Sequence, residues 1–592
     1  MNNLYNKNKL RAFMSLVLLG LLTFIIGEST KDRHINFALL VLAIGVFGGV
    51  IYLSKDFLKN VREKYGDYAL RTSKEFIQKI NSLFVGIYGF YLIFTVIAFD
   101  YFEDFANYSK PVLTMTLIMI SADLVLGFIF LILSRLSFDK QKKSLKLLIA
   151  TGVVAFVFLI ASGENFMSVF PLLIIMLLAY YTRDVLNKDR FIYSWEKMSI
   201  DFILFFALGF FYIININKRK NYSTYILTYR WIYLILAILV LTLFAKLIFA
   251  YMKKGKGIEE YTNLGELEKM IDKYGSKQSL ASGLAFLDDK YIYFYKNKDG
   301  EETVAFQYGV INNKAIVMGE PFGKEEDIGD ALFDFNNSCI RSGLSPIFYE
   351  VGEKFTLSLH DYGYDFMKFG ENALVDLETF SLAGRKKSTE RNILNRFKKD
   401  GYTFEIMKPP YLDDFMDKLE EISDSWLDGR DEKGFSLGFF DRYYLSKSDI
   451  AVVFDSNGDI TAFTNIMPDK NDEVLSIDLM RYDMEKNVNS MMDFLFLNLY
   501  LYGQENSYKY FNLGMAPLSN VGINKSAYLS ERIAYLIYKH GNKFYSFKGL
   551  RNYKQKYASV WVPKYTAFAK GNWILYSFIA LGAIDRRNAK SK

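Results

Sequence analysis

Long apolar runs crowd the first 251 residues of the chain and then stop. A helix that crosses a membrane needs about 20 mostly apolar residues. Eight runs approach or reach that length: 11–26, 37–53, 83–99, 112–133, 145–161, 166–181, 200–216 and 231–251. The pattern predicts a polytopic helical membrane domain over residues 1–258. The first and sixth runs are short. The first sits where a signal peptide would, but it lacks a small-residue cleavage site and leads into further runs, so it is read as a retained helix. From Glu259 onward the period changes. Short β-rich runs at 291–295, 315–318 and 451–454 interleave with helical stretches at 413–427 and 491–502, the pattern of an α/β domain. About 300 residues leave room for two subdomains. Pro409 and Pro410 mark a boundary between 259–408 and 409–572. The apolar segment from Trp573 is too short to span. It is either a membrane-surface tail over 573–592, backed by Arg586, Arg587 and Lys590, or a packed C-terminal helix.

Lysine and arginine in short loops set membrane orientation. They collect after the second run (Lys55, Lys59, Arg62, Lys64, Arg71, Lys74, Lys79), after the fourth (Arg135, Lys140, Lys142, Lys143) and after the sixth (Arg183, Lys188, Arg190). The loop after the third run is acidic, with Asp100, Glu103 and Asp104 against Lys110. This predicts a multi-pass protein with both ends and the C-terminal domain in the cytoplasm. Lys218, Arg219 and Lys220 run against the rule. Two acidic groups lie at or near membrane depth, where charge is expensive. Asp123 is either a lipid-pathway group or a polar contact between helices, and Glu164 reads as a loop residue.

Composition narrows the chemistry. There is one cysteine, Cys339, and the three histidines are scattered, so no internal disulfide and no metal-ligand spacing exist. A Cys339–His360 nucleophilic pair competes with the ordinary reading of a lone cysteine as a small buried apolar residue. The net charge of +7 permits contact with anionic lipid or nucleic acid without requiring it. Its placement says more. Arg385, Lys386, Lys387, Arg391, Arg396, Lys398 and Lys399 crowd one stretch in which Ile393, Leu394 and Phe397 fall at helical spacing. This predicts an amphipathic helix with a basic face suited to RNA phosphates or anionic lipid, against a plain solvated helix.

Several ordered strings carry a family resemblance. They are Gly434-Phe-Ser-Leu-Gly-Phe-Phe-Asp441 followed by Arg442-Tyr-Tyr-Leu445, then Ser476-Ile-Asp-Leu-Met-Arg481, Met492-Asp-Phe-Leu-Phe496 and Phe511-Asn-Leu-Gly-Met-Ala-Pro-Leu-Ser519. Phe544-Tyr-Ser-Phe-Lys-Gly-Leu-Arg551 and Tyr553-Lys-Gln-Lys-Tyr557 complete the series, with Phe348-Tyr-Glu-Val351, Ala373-Leu-Val-Asp-Leu377 and Gly401-Tyr-Thr-Phe404 upstream. Together they resemble the synthase domain of the phosphatidylglycerol lysyltransferases, the multiple peptide resistance factors, over about residues 260 to 570. The resemblance implies tandem acetyltransferase-like (GNAT) folds. It also implies transfer of lysine, or alanine in relatives, from aminoacyl-tRNA to phosphatidylglycerol. The implied partners are lysyl-tRNA or another aminoacyl-tRNA, phosphatidylglycerol and the bilayer, with a homo-oligomer left open. The membrane half departs from the longest members, which resemble a flippase block joined to further helices.

A GNAT enzyme that uses acetyl-CoA needs a glycine-rich turn opening a helix onto the pyrophosphate. The corresponding stretch, 481–491, has no glycine, which suits a donor held another way, such as a tRNA end. The resemblance points to Asp478, Arg481, Glu531, Lys548 and Arg551 as catalytic residues. Arg481, Lys548 and Arg551 suit a lipid phosphate or the tRNA terminus. Asp478 or Glu531 suits the hydroxyl proton or the donor's ammonium group. Ordinary ion pairing is the competing reading for Asp478 with Arg481, and solvation for Lys548 with Arg551. No metal or cofactor is expected, because the aminoacyl ester is already activated. If lysine is transferred, each lipid changes from −1 to +1, which would weaken attraction of cationic antimicrobial peptides. Competing functions are the same chemistry with another amino acid or a glycolipid, a flippase or scaffold with an inactive synthase domain, and a FemX-like cell-wall transferase.

Overall fold

The computed structural model describes residues 2–30, 32–98, 110–161, 169–217, 224–255, 257–258, 262–275, 277, 279–486, 488–540, 547–569 and 572–586. The chain forms two compact units, one built mainly from residues 1–192 and 199–256, the other from 193–198, 257–340 and 344–592.

The first unit is helical: α1 (Asn2–Ser29), α2 (Arg33–Ala98), α3 (Lys110–Phe138), α4 (Lys142–Ala161), α5 (Phe170–Tyr181), most of α6 (Trp195–Asn217) and α7 (Thr224–Lys253). Among the described residues, four helices are long and apolar enough to cross a membrane: Tyr65–Phe94, Ser121–Phe138, Lys142–Ala161 and Ile235–Lys253. Arg11–Gly27, His34–Val50 and Phe170–Tyr181 are shorter apolar helices. The second and third apolar runs belong to one helical stretch, α2, broken only at Gly66, whose φ of 75° leaves the helical region. The basic loop expected between them is therefore helical. Its Lys, Glu, Leu and Arg are good helix formers, and nothing but Gly66 interrupts them. The acidic loop at 100–109, Glu164 and Lys218–Lys220 lie outside the described residues.

Small residues let α2 and α3 meet backbone to backbone. A Cβ at Gly89 would stand 2.7 Å from the Gly127 carbonyl oxygen, and one at Gly127 would stand 2.8 Å from that of Gly89. Beside this crossing Ser82 and Ser137 hydroxyls lie 3.0 Å apart, and Ser134 donates to the Ser82 carbonyl at 2.6 Å. Asp123 is half-buried on α3 within electrostatic reach of Tyr88 on α2.

Among its described residues the second unit carries one sheet of twelve strands. Its first half comprises α8 (Leu264–Tyr274), β1 (Tyr291–Lys296), β2 (Glu302–Ile311), β3 (Lys314–Met318), β4 (Phe322–Gly323), α9 (Ile328–Arg341), β5 (Ser345–Val351), α10 (Glu353–Asp361) and β6 (Tyr364–Asp376). The second comprises α11 (Ser388–Lys399), β7 (Thr403–Met407), α12 (Asp413–Leu427), α13 (Arg442–Ser446), β8 (Ile450–Phe454), β9 (Ile460–Ile466), β10 (Val474–Tyr482), α14 (Met491–Glu505) and β11 (Tyr510–Pro517). Then come α15 (Leu529–His540), α16 (Phe547–Gln555), β12 (Val560–Ala569) and α17 (Ile574–Ile584). The strand order is β1-β2-β3-β5-β12-β6-β11-β10-β9-β8-β7, with β4 on β2.

The two halves repeat one plan. Antiparallel strands lead to a parallel pair, β3 with β5 in one half and β10 with β11 in the other. At the centre the halves exchange strands. β12, from the end of the chain, pairs with β5, and β6, from the first half, pairs with β11. β12 and β6 pair with each other along most of their length, closing the seam. This is the tandem acetyltransferase-like architecture. β7 pairs with β8 across the prolines, and α11 packs into the core of the second half.

Burial follows the sequence pattern. In α11, Ile393 and Phe397 face inward, and Phe397 stacks on Phe494 of α14 at 4.5 Å. In α12, Met416, Leu419 and Ile422 make the same kind of stripe. The apolar tail forms α17, which buries Ser577, Ala580, Leu581 and Ile584 and leaves Leu575 and Ile579 exposed. Ala580, Leu581 and Ile584 join the core of the first half.

Candidate active site

The parallel pair β10–β11 holds only from Val474 to Ser476, opposite Tyr510 to Asn512. Beyond that point β10 pairs with β9 alone and β11 keeps only its ladder to β6, each interrupted by an irregular step. Side chains replace the missing ladder. The Leu479 N–H donates to Asn465 Oδ1 at 2.9 Å, and the Gly514 N–H donates to Asn512 Oδ1 at 2.9 Å. Past Ser476 and Asn512 the two strands are no longer paired, and Asp478 and Arg481 sit on β10 beyond this point.

Asp478 is held by the loop before α13. Gly438 N–H donates to its Oδ1 at 3.0 Å, and the buried Tyr444 hydroxyl donates to Oδ2 at 3.0 Å. A Cβ on Gly438 would overlap this carboxylate, so the position requires glycine. Asp441 caps α13 by accepting from the Tyr444 N–H at 2.8 Å, which fixes the tyrosine. Burial pushes the Asp478 carboxyl above its usual range, against the opposing pull of Tyr444 and Gly438.

Arg481 does not pair directly with Asp478. Its guanidinium lies 4.0 Å from the Trp426 ring centre and donates to Glu432 Oε2 at 3.1 Å. Burial lowers its pKa, and Glu432 opposes the shift. Glu432 also accepts the Phe440 N–H at 3.2 Å, so Arg481 and the loop are tied to one carboxylate.

A second knot of charge sits where β6, β11 and β12 meet. Glu371, opposite Ala516 and Pro563 in the sheet, is 7% exposed. It accepts from Lys368 at 2.6 Å, Arg551 Nη1 at 2.7 Å, Asn520 Nδ2 at 2.9 Å and Ser519 Oγ at 3.2 Å. Burial would raise this carboxyl, but Lys368, Asn520 and Arg551 outweigh it and hold it below its usual range. Arg551 also contacts Ser519 Oγ and stacks over Trp561 at 4.2 Å. Its Nε and Nη2 have no partner among the described residues. One turn along α16, buried Lys554 donates to the Met515 carbonyl at 2.8 Å, and burial lowers its pKa to about 8.

Interior charges link the knots. Lys290, 1% exposed and bonded to Asp289 at 2.5 Å, is in electrostatic reach of Asp478 and Asp585. Burial raises Asp585 to about 6. Glu350, in the left-handed region with φ 64°, feels Lys564, Lys554, Glu320 and Asp585, and burial raises it to about 7. These groups are thus joined pairwise by electrostatics, Asp478 to Lys290, Lys290 to Asp585, Asp585 to Glu350 and Glu350 to Lys554.

The other expected residues lie apart. Glu531 is half-buried in the first turn of α15, in neither knot. Lys548 is exposed, donating to the Lys539 carbonyl at 3.2 Å. In the basic stretch, Lys387 pairs with Glu390 at 3.0 Å, Arg391 binds the Leu382 and Gly384 carbonyls, and Arg396 binds the Asn489 carbonyl. Arg385, Lys386, Lys398 and Lys399 are exposed and without a protein partner among the described residues. Cys339 is fully buried and its thiol pushed up by burial, while His360 bonds the Tyr364 carbonyl at 3.2 Å, so they form no nucleophilic pair. Between β10 and α14 the turn has Ser490 in the left-handed region and no glycine.

Glu371, Glu432, Trp426 and Lys554 belong to the site without a sequence pattern that marks them, although Lys554 falls within Tyr553–Tyr557 and Glu371 two residues before Ala373. Nothing local marks either as charged and buried.

Residues 268–568 match the family model described as phosphatidylglycerol lysyltransferase, C-terminal. The chain belongs to this family. It is 35% identical over 477 residues to a phosphatidylglycerol lysyltransferase of Bacillus subtilis, covering 79% of this chain and 54% of the relative. A Staphylococcus epidermidis phosphatidylglycerol lysyltransferase is 34% identical over 406 residues, covering 67% and 47%. The chain thus spans about half the length of the curated relatives it matches. The structure of L-PGS from Bacillus licheniformis aligns with a TM-score of 0.50 at 38% identity, covering 56% of this chain and all of that one.

Proposed function

We propose that this chain transfers an aminoacyl group, lysyl first, from aminoacyl-tRNA to the head-group hydroxyl of phosphatidylglycerol, with the C-terminal domain in the cytoplasm. The observation that carries the reading is the family match across the whole tandem domain, in a chain that also has helices apolar enough to cross a membrane. The head-group hydroxyl attacks the ester carbonyl of the donor. A new C–O bond to the lipid forms as the C–O bond to the terminal ribose breaks. The hydroxyl proton leaves to a base, and the ribose oxygen takes a proton.

The two knots suit the two substrates. Arg551, fixed by Glu371 and Ser519, offers its unused Nε and Nη2 to the lipid phosphate as a planar fork. Lys554, beside it on α16, is the candidate proton acceptor because burial brings it near neutral pH. Asp478, Arg481 and Glu432, grouped where the β10–β11 pairing ends, serve the donor's aminoacyl end. Arg385, Lys386, Lys398 and Lys399 suit RNA phosphates farther along the tRNA. Glu531 and Lys548, which the resemblance also points to, lie outside both knots. A lysylated product would reduce the membrane's attraction for cationic peptides.

The test is to incubate membranes holding this chain with phosphatidylglycerol and tRNA charged with labelled lysine or alanine. The reading expects label in a lipid, lost on RNase pretreatment, with lysine the better donor. No labelled lipid from either donor would reject transferase activity.

A further inference from the structure

Helix α15 carries apolar residues on two faces. The inward face, Ala534 and Tyr538, packs with Leu518, Val521, Ile574 and Phe578. The outward face repeats Leu529, Ile533, Leu536 and Ile537 at i, i+4, i+7 and i+8, exposed by 67%, 49%, 55% and 48%. Exposed Tyr528 and Ile523 continue it toward the N-terminus. A stripe of large aliphatic side chains turned away from the core is not explained by folding.

Charge around the stripe has one sign. Among the described residues from Ile523 to Arg551 the only acidic one is Glu531, against Lys525, Arg532, Lys539, Lys548 and Arg551. Glu531 lies on the inward side of the helix, whereas Arg532 and Lys539 share one flank of the stripe. An apolar stripe with a basic border is the composition of a helix lying in an anionic lipid interface.

The helix is also joined to the Arg551 knot at both ends. At its start, Gly522 packs so closely on the Glu531 carbonyl that a Cβ would clash, and Gly522 directly follows the segment carrying Ser519 and Asn520. At its end, Lys548 of α16 donates to the Lys539 carbonyl, one turn before Arg551. We infer that α15 lies in the surface of an anionic bilayer, its stripe in the head-group and acyl boundary, and so presents the Arg551 knot to lipid head groups. The inference rests on the transferase reading for its purpose, but the seating of α15 is testable without it.

The probe is the full chain in nanodiscs of zwitterionic lipid with or without phosphatidylglycerol, carrying an environment-sensitive dye on Leu536→Cys. Native Cys339 is buried and does not compete for label. A blue shift in anionic discs, with quenching by nitroxide lipids and protection from aqueous quencher, is the expected result. Quenching by the aqueous reagent in both discs overturns the inference. Quenching by neither reagent, as a second copy or another part of the chain covering the stripe would give, overturns it too. A second arm uses Ile533→Glu with Leu536→Glu. The expected result is an apparent KM for vesicle phosphatidylglycerol raised roughly tenfold, from lost apolar burial, with transfer to a monomeric short-chain phosphatidylglycerol unchanged. Equal loss on both acceptors would overturn a seating role. Absence of transfer in the parent protein would reject the transferase reading while the dye still reports on α15.

Discussion

Glu371 illustrates how single side chains make this site. Desolvation alone would protonate it more readily, yet its hydrogen bonds from Lys368, Ser519, Asn520 and Arg551 keep it an acceptor. Gly438 is as specific in the opposite way, since it is defined by what it lacks. Gly438→Ala should displace the Asp478 carboxylate and cost about 1–3 kcal/mol of stability, as overpacking does. Transfer should fall much further than the melting temperature, and parallel melts and transfer assays would check this. Glu350 gives a pH signature. Its folded pKa is raised from 4.5 to about 7, so the folded state binds the proton more tightly. Its stabilising contribution is full below about pH 4.5 and is lost as pH rises through 7. In Glu350→Gln that loss should vanish, a relative gain on the order of 2–3 kcal/mol between pH 5 and 8. Melting curves of both proteins across that range would measure it, and identical pH profiles would show that Glu350 is not desolvated.

At the scale of elements, α11 divides labour between its faces. Ile393 and Phe397 anchor it to α14, and three of the basic residues in and before it are spent on local carbonyls and Glu390. The exposed remainder can act on a ligand without unfolding the helix. Lys398→Glu with Lys399→Glu should leave the melting temperature within a few degrees and weaken aminoacyl-tRNA binding. The slope of log affinity against log salt should fall by about 2, near one per lost phosphate contact. Filter binding at several salt concentrations measures this, and an unchanged slope would remove α11 from the RNA surface. The amphipathic spacing of α11 and the boundaries of α12 were legible in sequence because they depend on neighbours three and four residues apart. The helical basic segment of α2, broken at Gly66, was less so, since charge suggested a loop while helix propensity carried the chain up to and on from that glycine.

For the whole molecule, the division into an apolar helical half and an α/β half could be read directly from hydropathy. The strand exchange could not. Arg551 and Glu371 are 180 positions apart and meet because β12 inserts between β5 and β6. Local pattern carries no record of such pairing, so Arg551 was identifiable by resemblance while its carboxylate partner was not. Asp478 and Arg481 were found together, but their partners, Tyr444, Gly438, Glu432 and Trp426, come from a loop and helix that only the fold brings to β10.

The central claim is that the seam between the halves handles the lipid acceptor through Arg551. The most direct measurement is single-turnover transfer of labelled lysine from lysyl-tRNA to phosphatidylglycerol by the parent protein and Arg551→Ala, with tRNA binding measured alongside. The account predicts a loss of transfer of at least about 100-fold, as for removal of a charged transition-state contact, with tRNA affinity retained. Near-parental transfer by Arg551→Ala would contradict it.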